Sequence, residues 1–259
     1  MALVLQSGIL MRINLIVIYL LFFLFSISCS DNRKYYIKNN RELNNKSKNI
    51  EKSKENCQKD NFQGSFEKYV REKIVEWVLE KEKTPKIKTV LVKDKKFNVD
   101  CSNFVRAAYY NATDNDLFEE ATRLGIYEKI KKDDMFSRSN FGALLLYVLF
   151  KLKYKIVDKP SIGDIIFFDR TYDKNKNNTL KDDVLTHVGI VVSIDDDGTI
   201  EFIHAGTSKG IEKSFLNLNY KDSFVVNGKT VNSYIQRVYS WHRKSETAAS
   251  LVRGFGSIF

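Results

Sequence analysis

From Phe62 onward, apolar positions recur among charged ones with two distinct periods. Phe66, Val70, Ile74, Trp77 and Val78 fall at helical spacing, which predicts an amphipathic helix over residues 65–81 that stops near Thr84-Pro85. A second helical run opens at Cys101, continues through Phe104, Val105, Ala108 and Tyr109, and ends at Asn111-Ala112-Thr113-Asp114. Further helices are predicted around 116–124 and 140–152. Pro160-Ser161-Ile162-Gly163 then punctuates the chain, and the pattern becomes strand-like. Strands rich in Ile, Val, Phe and Tyr are predicted over 164–169, 186–194, 199–205, 211–215 and 233–239. Asp195-Asp196-Asp197-Gly198 is a turn joining the second of these to the third. Helices followed by a run of antiparallel strands define an α+β domain with the helices on one side of a sheet. Residues 244–259 show no clear pattern.

The chain upstream reads differently. Met11-Arg12-Ile13-Asn14 leads into the apolar stretch Leu15–Phe25, which ends in the small residues of Ser26-Ile27-Ser28-Cys29-Ser30. A charged start, a short apolar core and small residues form a secretory signal with a cleavage site rather than a comfortable membrane span. The end of this leader resembles the lipobox of bacterial lipoproteins, in which the cysteine is acylated and becomes the mature N-terminus. Ser26 stands where the usual Leu would be. Lipidation of Cys29, plain cleavage and a retained single-pass anchor are the three readings. Residues 30–61 are dominated by Asn, Lys, Glu and Ser, too polar to offset their ordering entropy, and read as a flexible tether. The folded domain is expected over 62–243.

A formal net charge of +10 changes the picture only slightly. No aromatic-and-basic stacking motif or groove-reading helix accompanies it, so nucleic acid is not an expected partner. An exported basic protein is expected to meet anionic membrane or cell-wall polymers by long-range attraction. Three cysteines imply no disulfide scaffold. A Cys57–Cys101 bond is conceivable in an oxidising compartment, and it would silence Cys101 as a nucleophile.

The candidate chemistry begins with Asp100-Cys101-Ser102-Asn103-Phe104-Val105. A thiol at the first turn of a helix feels the positive end of the dipole and unpaired N–H groups, which favour the thiolate. His187, in Thr186-His187-Val188-Gly189-Ile190, and His204, in Ile203-His204-Ala205-Gly206, follow on predicted strands. One cysteine with dispersed downstream histidines is the pattern of a nucleophile and its base. Pairing Ile194 with Thr199 leaves a four-residue loop, sets His187 opposite Gly206, and puts His204 one same-face diagonal step away, roughly 7 Å between backbones. A tight two-residue Asp197-Gly198 turn would separate the rings further.

In order, Asp-Cys-Ser-x-Phe-Val at 100–105, Pro-x-x-Gly-Asp-x-x-Phe-Phe at 160–168, His-Val-Gly-Ile at 187–190 and Ile-His-Ala at 203–205 resemble NlpC-type papain-like cell-wall peptidases and their CHAP-domain relatives. The resemblance spans about residues 97–215. It implies a papain-like core, with Cys101 as nucleophile, His187 as general base and His204 as the residue orienting the imidazole. It also implies cleavage of amide bonds in peptidoglycan stem peptides, or amidase activity. Asn103 stands where the family usually has Gly, and the usual Tyr and paired Gly upstream of the cysteine are absent. The stretch 111–159 is a longer, helical insertion that could cap the cleft or alter specificity.

Between strands, the loop from Asp173 to Asp183 resembles a calcium loop. Asp173, Asn175 and Asn177 supply oxygens at positions one, three and five, and Thr179 offers a carbonyl at seven. No Glu occupies position twelve, so a further ligand would come from Asp182 or Asp183. A solvated polar loop is the competing reading. The expected function is that of an exported cysteine peptidase or amidase, held on a membrane surface through lipid on Cys29 and acting on peptidoglycan, at the periplasmic or cell-surface side. It requires no cofactor for chemistry, with structural Ca2+ as an option. The alternatives are a related acyltransferase or lipid-directed hydrolase, and a wall-binding lipoprotein without turnover.

Overall fold

The computed structural model of the chain describes residues 63–132, 141–242 and 244–259. The expectations for the leader, for Cys29 and Cys57, and for the tether lie outside the described residues. Helix α1 covers 63–82 and buries Val70, Ile74, Trp77 and Val78, as its periodicity requires. Phe66 does not join them. It lies one turn too early, is exposed, and meets Phe259 edge to face. Arg71 anchors the same helix: it bonds Asp164 at 2.7 Å, the Ile162 carbonyl at 2.9 Å and Ser257 Oγ at 3.0 Å.

A hairpin absent from the sequence reading follows. Strands β1 (Thr89–Val92) and β2 (Lys95–Asn98) pair antiparallel across Lys93-Asp94, with Lys93 at φ 55°. Their lysines hide an alternation in which Val90, Val92 and Phe97 face inward. Helix α2 (Cys101–Thr113) buries Phe104, Val105, Ala107, Ala108 and Tyr109 and ends on a left-handed Asp114. Helices α3 (Leu117–Arg123), α4 (Ile126–Lys132) and α5 (Gly142–Lys153) form the insertion. At the start of α5, a Cβ on Gly142 would stand 2.2 Å from Ser102 Oγ, so only glycine lets the insertion pack this closely on the start of α2.

The remaining strands are β3 (Lys155–Val157), β4 (Ile165–Phe168), β5 (His187–Ile194), β6 (Ile200–Thr207), β7 (Gly210–Leu216), the short pair β8 (Val225–Val226) and β9 (Lys229–Thr230), and β10 (Val252–Ser257). Six of them form one sheet in the order β3-β10-β4-β5-β6-β7, every neighbouring pair antiparallel. One face packs Ile165, Phe167, Val188, Ile190 and Ile203 against the helices. The other buries Ile166, Phe168, Val191, Phe202 and Leu216 beneath Ala248, Ala249 and Leu251 of the short helix α6 (Ala248–Leu251). The architecture is therefore α+β, with helices on an antiparallel sheet, as expected.

Two further segments differ from expectation. Residues 233–239 form no strand, because their backbone bonds are scattered over different segments rather than aligned in a ladder: Ser233 N–H donates to the Phe215 carbonyl, Arg237 N–H to that of Thr171, and the Ser233 carbonyl accepts from Ala248 N–H. Asn232 Nδ2 donates to the Tyr220 and Ser223 carbonyls, and Gln236 Nε2 donates to that of Arg170. Conversely, the patternless segment after Lys244 supplies β10, which lies between β3 and β4.

Candidate active site

The site begins with a helix cap. Asp100 Oδ1 accepts the Asn103 N–H at 2.8 Å, which makes Cys101 the first helical residue of α2. The same carboxylate accepts Ser102 Oγ at 2.8 Å and Asn103 Nδ2 at 2.6 Å. Asn103 Oδ1 in turn accepts from Arg106 at 2.6 Å, and Arg106 grips Asp116, the cap of α3, with bonds of 3.0 and 2.8 Å. Asn103 thus ties the start of the cysteine helix to the insertion, a use that a glycine at this position could not have.

Burial pushes the Cys101 thiol up to about 12, and the Asp100 carboxylate adds to the rise. The backbone N–H groups of Val188, Ser102 and Cys101 itself pull the other way. The helix-start donors expected from the sequence are present, but burial outweighs them and favours the neutral thiol. Strand β6 comes up against this helix start. Gly206, at φ +83°, lies so close that a Cβ there would stand 3.2 Å from the Cys101 nitrogen. Both its backbone conformation and this approach exclude a side chain.

The histidines come together on the opposite face of the sheet from Val188, beside Phe168 and Phe202. His187 Nε2 lies 2.8 Å from His204 Nδ1, with the rings edge to face, 4.9 Å apart at 89°. Phe168 lies 6.2 Å from the His187 ring and Phe202 5.2 Å from that of His204. The connecting loop is not the four-residue one expected, since Ile194 pairs with Ile200. A bulge between Val191 and Ser193 then shifts the register by one, so that Gly189 faces His204 and the anticipated diagonal is restored. Gly189 makes room for it: a Cβ there would stand 2.9 Å from Phe202 and 3.4 Å from His204 Cβ. Burial, with His204 adding to it, holds His187 well below the ordinary histidine range, and Glu212 opposes the shift. Burial, aided by Lys209, brings His204 down to about 3. Both rings are therefore neutral at pH 7.

Two further residues were not singled out in the sequence. Ser214, buried on β7, places Oγ 3.0 Å from His204 Nε2. Its strand was predicted, but only the pairing Phe202↔Ser214 shows that it neighbours His204. Tyr172, in the loop after β4, is pushed up to about 12 by burial, and its phenolate would also be repelled by the Cys101 thiolate, so its hydroxyl stays neutral near the sulfur.

The proposed calcium ligands do not assemble. Asp173 accepts the N–H groups of Asn177 and Asn178, Asn175 and Asn177 turn their amides to Asp182, and the Asn177 side-chain oxygen accepts from the Thr179 N–H. Asp183 is buried and accepts from the Lys174 N–H. Apart from Asp183 Oδ2, which is buried without a hydrogen-bond partner, these oxygens close the loop on itself, and no group of three or more His, Cys, Asp or Glu among the described residues converges to hold a metal ion. The insertion frames a separate cleft of about 640 Å³ lined by Arg106, Asp116, Phe118 and Arg123 among others, which includes neither Cys101 nor the histidines.

A cysteine at a helix start, laid against an antiparallel sheet that carries a buried histidine pair, is the arrangement of the papain-like class. The chain belongs to the NlpC/P60 family, whose profile matches residues 88–230, more than half of its length. Members of that family are generally cysteine peptidases acting on peptidoglycan, and they need no cofactor for catalysis. No curated protein and no solved structure matches the chain.

Proposed function

We propose that the protein is an exported cysteine peptidase or amidase that hydrolyses amide bonds in peptidoglycan stem peptides through a thioester on Cys101. The observation that carries the reading is the helix-start thiol with the Val188 N–H at its sulfur, next in the chain to His187, whose Nε2 is already engaged by His204. That engagement leaves Nδ1 as the nitrogen free to act as base. As substrate enters, His187 takes the thiol proton while sulfur bonds to the amide carbon, so no free thiolate need accumulate. The carbonyl oxygen takes up the negative charge, and the Cys101 N–H at the helix start is a suitable donor to it. The imidazolium returns its proton to the leaving amine, and water, deprotonated by His187, then releases the acid and restores the thiol. Digestion of purified sacculi checks this: wild type releases new amino termini, whereas Cys101→Ala releases none. Equal release by both would end the reading, and acyl transfer without net hydrolysis would favour the acyltransferase alternative.

Location belongs to the same proposal. Lipid on Cys29 holds the domain at a membrane surface, with 30–61 as tether. The leader ending in Ser-Ile-Ser-Cys supports it. Cys29→Ala should move the protein out of the membrane fraction and remove the mass of the acyl chains. Unchanged mass and partitioning would leave a signal or anchor without lipid.

A further inference from the structure

His187, His204 and Ser214 form a line of three buried groups on three adjacent strands, exposed to 9, 1 and 4%. The contacts are 2.8 Å from His187 Nε2 to His204 Nδ1 and 3.0 Å from His204 Nε2 to Ser214 Oγ. A line of two neutral imidazoles and a hydroxyl has only two self-consistent proton arrangements. In the first, His187 Nε2–H donates to His204 Nδ1, and His204 Nε2–H donates to Ser214 Oγ. His187 Nδ1 is then bare. In the second, every donor is reversed: Ser214 O–H donates to His204 Nε2, His204 Nδ1–H donates to His187 Nε2, and the remaining His187 proton sits on Nδ1. Only the first leaves a lone pair with which His187 can take a proton from Cys101.

We infer that Ser214 is a positioning residue that accepts a hydrogen bond from His204 Nε2–H and thereby holds both histidines in the tautomers that make His187 a base. The inference rests on the role proposed for His187. The first arrangement is also the one that survives the reaction. When His187 becomes imidazolium, its Nε2–H still donates to His204 Nδ1, and the proton of His204 stays on Nε2 toward Ser214. No second proton has to move. Glu212, directly opposite His204 across β6 and β7, adds a carboxylate that favours that cation. Without the hydroxyl, a proton on His204 Nε2 would be a buried donor with no partner, among the costlier defects of a protein interior. The ring then shifts its proton to Nδ1, and His187 follows into the tautomer that cannot accept.

Long-range proton–nitrogen correlations on the nitrogen-15-labelled full chain in detergent read each ring nitrogen as bare or protonated. Wild type should show bare Nδ1 with protonated Nε2 on His187, and protonated Nε2 on His204. Ser214→Ala should move His187 toward the Nδ1-protonated form and lower kcat by up to about 10⁴-fold, the cost of a wrong tautomer at a catalytic histidine, with KM unchanged. Ser214→Thr keeps the hydroxyl and should restore both readouts. A wild-type His187 protonated on Nδ1 would overturn the inference even if the alanine variant failed to fold. So would a folded Ser214→Ala with wild-type tautomers and kcat, or a folded Ser214→Thr with the reversed tautomers. Absence of hydrolysis by wild type would remove the proposed function, while the ring assignments would still decide the role of Ser214.

Discussion

The thiol and the histidine pair are held by different means. Cys101 sits where backbone polarity is concentrated: a capped helix start, the Val188 N–H, and a glycine of β6 pressed against its nitrogen. Few side chains fix the sulfur itself. His187 and His204 sit among Phe168 and Phe202, and each ring nitrogen with a partner finds it in another side chain. The sulfur is thus positioned by the fold, whereas the base is positioned by a short relay of side chains. Loss of the sulfur should leave the structure intact, and loss of a relay member should damage both structure and chemistry.

Substitution of the histidines breaks the comparison most sharply. His187→Ala should lower kcat by roughly 10⁴-fold, the upper range for a general base. His204→Ala should cost less than that, and His204→Asn less again, since an amide can still orient the ring. Thermal melts sharpen the contrast: Cys101→Ala should melt close to wild type and His204→Ala clearly below it. If His204→Asn matches His204→Ala in rate, His204 does not orient the base.

Proton linkage gives a smaller effect, of opposite sign for the two regions. Both histidines are held below their ordinary value of 6.5. The unfolded chain therefore binds more protons below pH 6.5, and stability falls as pH drops from there toward about 3, for as long as the folded rings stay neutral. Cys101 is raised from 9.0 to about 12, so above pH 9 the unfolded chain releases a proton that the folded one keeps. Stability falls on that side too as pH rises. Denaturant titrations should give a plateau between these limits, an acid limb flattened by His204→Asn and an alkaline limb flattened by Cys101→Ala. An acid limb unchanged by His204→Asn would mean that this ring is not neutral in the folded state.

Much of the fold was legible because the relevant signals are local. The period of α1, the helical run opening at Cys101, the turn at Asp195–Gly198 and the Ile/Val/Phe-rich runs of β4 to β7 each lie within a few neighbouring residues. The histidine pairing was legible for a less direct reason. The loop is one residue longer than assumed, and a bulge cancels the change, so the expected neighbours meet by a different route. Strand β10 was hidden by its glycines. A Cβ on Gly256 would stand 2.6 Å from Phe150 and 2.9 Å from Phe167, so what reads as a weak strand is a place where a helix ring packs directly against the strand backbone. Residues 233–239 erred the other way: Tyr234, Ile235, Val238 and Tyr239 have strand propensity, but nothing local in the sequence says that the backbone of Ser233 and Arg237 will be divided among Phe215, Thr171 and Ala248. Ser214 and Tyr172 reach the site only through strand register and loop path, which single-residue patterns do not encode.

The position of β10 bears on the order in which the molecule is made. Residues 252–257 join 155–157 to 165–168, so until they arrive β3 has no partner in the sheet and the edge of β4 stays open. A growing chain can pair β4 through β7, helix contacts included, while the layer beneath α6 lacks both Leu251 and Phe255. Completion waits for the last strand to emerge and insert between two that are already present. Such a late, non-local pairing is slow. It also gives the chain an interval in which it is synthesised but not yet closed.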